Sequence, residues 1–128
     1  MPGVNSEQRS SVTALMSSRN PVLVATVTLM NRHIDDPLSM DELASAAGYS
    51  RRHLERLFRD AVGKTPGEFY RALRLDRGRN LLSTTNLTLM EVSIACGFST
   101  VSHFSKSFRA RFGTAPTKLA QGISPQRS

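Results

Sequence analysis

The sequence predicts an all-α fold of seven helices, arranged as two helix-turn-helix subdomains joined by a central linker helix. Three observations carry this. No stretch alternates polar with apolar residues, and β-branched residues are sparse, so strands are not expected. Helix starts are marked by capping residues at close intervals. One pattern, a capped helix followed by glycine, an aromatic, serine and a second helix, occurs twice.

Residues 1–19 are polar and Ser-rich, without a hydrophobic period, and read as a disordered arm or linker. Asn20-Pro21 then offers an N-cap followed by proline at the first helical position. The helix expected over 21–34 carries Leu23, Val27, Met30 and Ile34 on one face. Ser39 to Glu42 is a capping box that opens a helix over 40–47, with Leu38 and Leu43 as its hydrophobic staple. Gly48 stands where a left-handed residue is wanted, and Ser50 caps the next helix, 51–62. Thr65-Pro66-Gly67-Glu68 starts the linker helix, 66–83. Thr88 to Glu91 is a further box, with Leu87 and Val92 as staple, and opens 89–96. Gly97 and Ser99 repeat the roles of Gly48 and Ser50 before a helix over 100–112, and a last helix covers 116–121. The tail, 122–128, reads as flexible. The subdomains are then 20–65 and 85–121, with 66–84 between them.

The repeat is legible residue by residue. Ser39 to Ser50 aligns with Thr88 to Ser99 at an offset of 49. One extra residue enters the second copy, and Leu54, Phe58, Arg59, Val62, Gly63 and Pro66 then match Phe104, Phe108, Arg109, Phe112, Gly113 and Pro116 at an offset of 50. Two copies with a helix between them fit duplication of one module better than a solenoid.

Each copy has the form of a helix-turn-helix, two helices joined by a short glycine-containing turn. In 51–62 the apolar stripe is Leu54, Leu57, Phe58, Ala61 and Val62, with Arg51, Arg52, Glu55, Arg56 and Arg59 opposite. In 100–112 it is Val101, Phe104, Phe108 and Phe112, with Ser102, Ser105, Lys106 and Arg109 opposite. A recognition helix needs this pairing: a buried side to fix its angle and a bare, donor-rich side for a major groove about 12 Å wide.

Composition agrees. The 128 residues carry a formal net charge of +7, which favours an acidic partner. No Asp or Glu follows Glu91, while Lys106, Arg109, Arg111, Lys118 and Arg127 all do. Arg71, Arg74, Arg77 and Arg79 crowd the linker helix, where Asp76 is expected to pair with Arg77 or Arg79. The single cysteine, Cys96, excludes a disulfide framework and a Cys-rich zinc site, and reads as a packed small residue. His33, His53 and His103 lack metal-ligand spacing and no Gly-rich phosphate loop is present, so neither an enzyme, a metal nor a cofactor is expected. No apolar run approaches the roughly 18 residues of a membrane span, and no secretory signal is visible. A reducing cytoplasm fits these features. The alternative reading is a basic helical module that docks on a protein or an anionic surface.

From about 21 to 121 the chain resembles the DNA-binding domain of AraC/XylS-type transcription regulators. The resemblance rests on Pro37 to Ser50, on His53-Leu54-Glu55-Arg56-Leu57-Phe58-Arg59, and above all on Ala95-Cys96-Gly97-Phe98-Ser99 continued by Phe104 to Pro116. The wording is most similar to the subgroup with an amidotransferase-like N-terminal sensor domain. No such domain is in these residues, so the chain reads as a C-terminal fragment, with 1–19 as a former interdomain linker. The resemblance implies a homeodomain-like, seven-helix fold whose linker helix braces two recognition helices for successive major grooves, about 34 Å apart. It implies promoter DNA and RNA polymerase as partners, activation as the outcome, and dimerisation through the absent N-terminal domain.

By family position the base contacts are Arg52, Glu55 and Arg56 in the first unit and Ser102, Ser105 and Lys106 in the second, with Val101 or His103 in reach. Glu55 also suits orienting Arg52 or Arg59. Phosphate contacts fall to Arg51, Arg59, Lys64, Thr65, Arg109 and Arg111, and to helix N-termini near Ser39 and Thr88. The second set is shorter and less charged, so weaker reading is expected there. Two positions depart from the family pattern. Gly78 stands mid-helix where alanine is usual, and is expected to soften the linker helix at a cost of about 1 kcal/mol. Ala115 replaces the capping threonine, so the last helix is expected to fray.

Overall fold

The computed structural model describes residues 20–123, and side chains as far as 119. The expectations for 1–19 and for the end of the tail lie outside the described residues. Within them are seven α-helices and no strand: α1 (Pro21–Arg32), α2 (Met40–Ala47), α3 (Arg51–Val62), α4 (Pro66–Thr84), α5 (Leu89–Ala95), α6 (Val101–Phe112) and α7 (Pro116–Ile123). They group into two compact units, one reaching to Leu73 and the other running from Arg74 and including Ile34–Asp36. The helix α4 contributes to both.

In the first unit α1 starts because Asn20 Oδ1 accepts from the N–H groups of Val22 (2.9 Å) and Leu23 (3.1 Å). It stops at Arg32, two residues before the apolar period ends. The Tyr70 hydroxyl donates to the His33 carbonyl and accepts from the Leu38 N–H at 3.0 Å, so one side chain of α4 pins both ends of the connecting turn. The box at Ser39 is complete: its N–H donates to Glu42 Oε1 (2.8 Å) and its hydroxyl accepts from the Glu42 N–H (3.1 Å). Gly48 closes α2 at φ 72°, a left-handed geometry suited to glycine. Ser50 Oγ then accepts from the His53 N–H at 3.1 Å to open α3. The buried side chains include Leu23, Val27, Met30, Leu43, Leu54, Phe58, Phe69 and Tyr70, with the Phe58 and Phe69 rings edge to face at 5.6 Å. A fully buried phenylalanine such as Phe58 stabilises by about 1.5–3 kcal/mol.

The helix α4 opens on a capping box of its own, with the Thr65 N–H donating to Glu68 Oε1 at 2.9 Å and its hydroxyl accepting from the Glu68 N–H at 3.1 Å. The backbone bond holds the Glu68 carboxyl below its usual range. Its residues divide into two buried sets: Pro66, Phe69, Tyr70 and Leu73 in the first unit, then Leu75, Gly78 and Leu82 in the second.

The second unit packs Leu75, Leu82, Val92, Cys96, Phe98, Phe104 and Phe108 into one core. Gly78 belongs to that core, which corrects the expectation of a soft spot. A Cβ built there would lie 2.8 Å from Cε1 and Cζ of Phe104 and 3.2 Å from Cys96 Sγ. Alanine would collide with the ring, so glycine permits the helices to approach. Asp76 pairs with a residue 35 positions away, which the expectation of Arg77 or Arg79 did not include. Its carboxylate accepts from Arg111 Nε (3.0 Å) and Nη2 (3.1 Å). Burial pushes the Cys96 thiol up to about 11, against the pull of Arg77 and Arg74, so it is a protonated packing residue at neutral pH.

The cap of α6 also differs from expectation. Thr100, not Ser99, caps it, accepting from the His103 N–H at 3.0 Å. The extra residue of the second copy falls in the turn, which becomes Gly97-Phe98-Ser99-Thr100. The capping position relative to the helix is thereby preserved.

Candidate nucleic-acid interface

The helices α3 and α6 present their outer stripes from matching frames. Each is 12 residues long, opens on a hydroxyl cap, and ends on a left-handed glycine, Gly63 (φ 72°) or Gly113 (φ 76°). Each buries its fourth and eighth residues, Leu54 and Phe58 or Phe104 and Phe108.

On α3, Arg51, Arg52, Arg56 and Arg59 are exposed and Glu55 is half-buried. Arg51 lies 3.6 Å from Asp41, a solvated pair that holds it weakly. Among the described residues Glu55 makes no ion pair with Arg52 or Arg59, so the orienting role does not operate in this state. The Tyr49 and His53 rings stack at 3.9 Å with 6° between planes, which stiffens the entry to α3. On α6, Ser102, His103, Lys106 and Arg109 are exposed, while Val101 and Ser105 are half-buried. The His103 ring meets Phe98 edge to face at 5.1 Å. Lys64 and Thr65 follow α3 and are half-buried.

Arg111 is a correction. It was expected among the phosphate contacts, but its side chain keeps only 12% of its exposure and its fork is spent on Asp76. Thr65 is reduced as a phosphate donor, because its N–H is already given to Glu68 and only its hydroxyl hydrogen remains. The N-termini of α2 and α5 are likewise occupied. The N–H groups of Ser39 and Thr88 each donate at 2.8 Å to the carboxylates of Glu42 and Glu91, whose charge opposes a phosphate there.

Arg74 has a role that sequence reasoning missed. Its Nε and Nη2 donate to the carbonyls of Cys96 and Gly97, both at 2.8 Å, and its guanidinium lies 4.3 Å from the centre of the Phe98 ring. It holds the turn that leads into α6. Nothing local signals this, because the partners are 22 and 23 residues away.

Comparison with known proteins gives the frame a family. Residues 43–122 match the family described as a helix-turn-helix domain. The transcriptional regulator CdhR of Pseudomonas aeruginosa is 45% identical over 111 residues, which are 87% of this chain and 33% of that protein. A crystal structure of an AraC-type regulator from Chromobacterium violaceum superposes with a TM-score of 0.78 at 40% identity, covering 85% of this chain and 98% of that one. This chain belongs to the AraC-type helix-turn-helix family. The DNA-binding domain of AdpA, solved in complex with a target DNA, is similar to this AraC-type domain with a TM-score of 0.77 at 26% identity, over 84% of this chain and 96% of that one. The AraC-type chain spans about a third of the length of the curated relatives it matches. Among its described residues no helix is long and apolar enough to cross a membrane.

Proposed function

We propose that this domain binds double-stranded DNA in a sequence-specific manner, as the DNA-contacting part of a transcription regulator. One observation carries the reading: two helices with matching frames each bury one stripe and expose cationic or hydroxyl side chains at corresponding positions. A helix of this kind fits a major groove, where base edges present a unique donor and acceptor pattern. The relatives' names as transcriptional regulators and the DNA bound to the AdpA domain support it.

In this reading Arg52, Glu55 and Arg56 on α3, and Ser102, Ser105 and Lys106 on α6, face base edges. Arg51, Arg59, Lys64, the Thr65 hydroxyl and Arg109 face phosphates. The chain performs no catalysis; it acts in the cytoplasm on promoter DNA, where activation proceeds through RNA polymerase bound alongside.

Gel-shift titration over a range of salt tests this. DNA affinity should fall by about 0.9 log units per log unit of salt for each phosphate neutralised. Arg56→Ala should weaken the preferred sequence by about 1–3 kcal/mol and relax one base position, while Arg109→Ala should weaken all sequences alike and flatten the salt slope. Equal losses on specific and random DNA for Arg56→Ala would remove it from the base contacts. Binding to anionic vesicles without any response to DNA sequence would replace the reading with a surface-docking one.

A further inference from the structure

The duplicated units offer an internal comparison in which geometry is held constant and chemistry varies. Counted from the helix start, the second residue is exposed in both (Arg52, Ser102), the fifth half-buried (Glu55, Ser105), the sixth exposed (Arg56, Lys106) and the ninth exposed (Arg59, Arg109). The first residue differs in both respects. Arg51 is exposed and lies 3.6 Å from Asp41, whereas Val101 is half-buried. The helix between those positions is the same length, starts on the same kind of cap and stops on the same left-handed glycine.

We propose that the two units read half-sites of different base composition, one rich in G·C pairs and one bearing thymine, and that the second, fifth and sixth residues of α3 and α6 carry the difference. This rests on the DNA-binding reading above. Arg52 and Arg56 stand one turn apart, about 6 Å along the axis at ~1.5 Å per residue. Each guanidinium can fork onto O6 and N7 of a guanine. Glu55, between them, accepts from the cytosine N4 amino group and is repelled by the O4 of thymine, so it reinforces G·C. The face of α6 grips guanine less firmly, with one lysine in place of two arginines. Ser102 and Ser105 donate to or accept from any base, and Val101 offers methyl groups that suit the thymine C5-methyl. Lys106 is a compact point charge without a planar fork. The second half-site is therefore thymine-bearing and less stringent.

The test is selection of bound duplexes from random DNA, with the wild-type chain and with S102R/S105E/K106R, which gives α6 the triplet of α3. The wild type should select two elements, one G·C-rich and sharp, the other containing thymine and shallower. The grafted chain should select a second element that matches the first. Arg52→Ala and Arg56→Ala should each lose about 5- to 150-fold on the guanines of the first element and leave the second unchanged. Two elements of like composition in the wild type, or a second element unaltered by the graft, overturn the proposal and leave sequence-specific binding standing. Failure to select any consensus overturns the DNA-reading assignment itself. Thermal melting checks that the grafted chain is folded. Should it not be, Ser102→Arg alone, at an exposed position, should gain one guanine in the second element, and no gain counts against the proposal.

Discussion

Arg111 closes a two-pronged bond onto Asp76 in the second unit, with Nε and Nη2 both near 3 Å from the carboxylate and only 4% of the Asp76 side chain exposed. Arg74, two residues before Asp76 on α4, grips the Cys96 and Gly97 carbonyls. The same helix therefore holds α6 at the turn before it and at its last turn. Residues that look like DNA contacts by charge alone thus act as braces for the helix that presents the contacts.

Removing one partner of that pair should be costly. Arg111→Ala takes a two-pronged, charged hydrogen-bond partner from a buried carboxylate, and should destabilise the domain by about 3–5 kcal/mol. Arg111→Lys keeps the charge but not the fork and should fall between. Urea denaturation measures both. A loss for Arg111→Ala no larger than that for an exposed arginine such as Arg56→Ala would refute the bracing role.

Gly78→Ala should also destabilise, against the direction that helix propensity predicts. Alanine gains about 1 kcal/mol in a helix interior, but here its methyl meets the Phe104 ring at 2.8 Å. Overpacking of this kind costs about 1–3 kcal/mol. In the background of Phe104→Leu the penalty of Gly78→Ala should shrink, and a double-mutant cycle reads the coupling. Additive effects would show that the contact is not the cause.

The two hydroxyls beside α6 should separate cleanly. Thr100→Ala should lose about 1 kcal/mol, because the His103 N–H loses its acceptor. Ser99→Ala is exposed and off the cap, and should stay within about 0.5 kcal/mol of the parent. Thermal melts of the two variants decide, and the reverse order would return the cap to Ser99.

Alkaline stability should report on Cys96. Its thiol titrates near 11 in the fold, above its usual value near 9.0, so the unfolded chain gives up this proton first. The stabilisation is complete below about pH 9 and is lost as pH rises towards 11. Denaturation of the parent at pH 7, 9 and 10.5 should show a steeper alkaline loss than Cys96→Ala. Native protein at pH 8 should react slowly with a thiol reagent and rapidly once unfolded. Equal alkaline slopes would contradict the shift.

Much of the fold was written locally. The caps at Asn20, Ser39, Ser50, Thr65 and Thr88 act over two or three residues, so the chain alone displays donor and acceptor together. The doubled module and the outer stripes of α3 and α6 are equally local, because a helix's period assigns its faces. The matching exposures at 52 and 102, 56 and 106, and 59 and 109 follow from that period.

What the sequence by itself determined was therefore where helices begin, which face each buries, and which side chains the two turn-following helices can offer. Tertiary structure decided what depends on residues far apart in the chain. Tyr70 ended α1 at Arg32, Phe104 required glycine at 78, and Asp76 withdrew Arg111 from the candidate contacts. The physical reason is range. A cap or a stripe is set by neighbours within one or two turns, whereas a buried charge pair or a ring against a helix backbone exists only after the chain has folded onto itself.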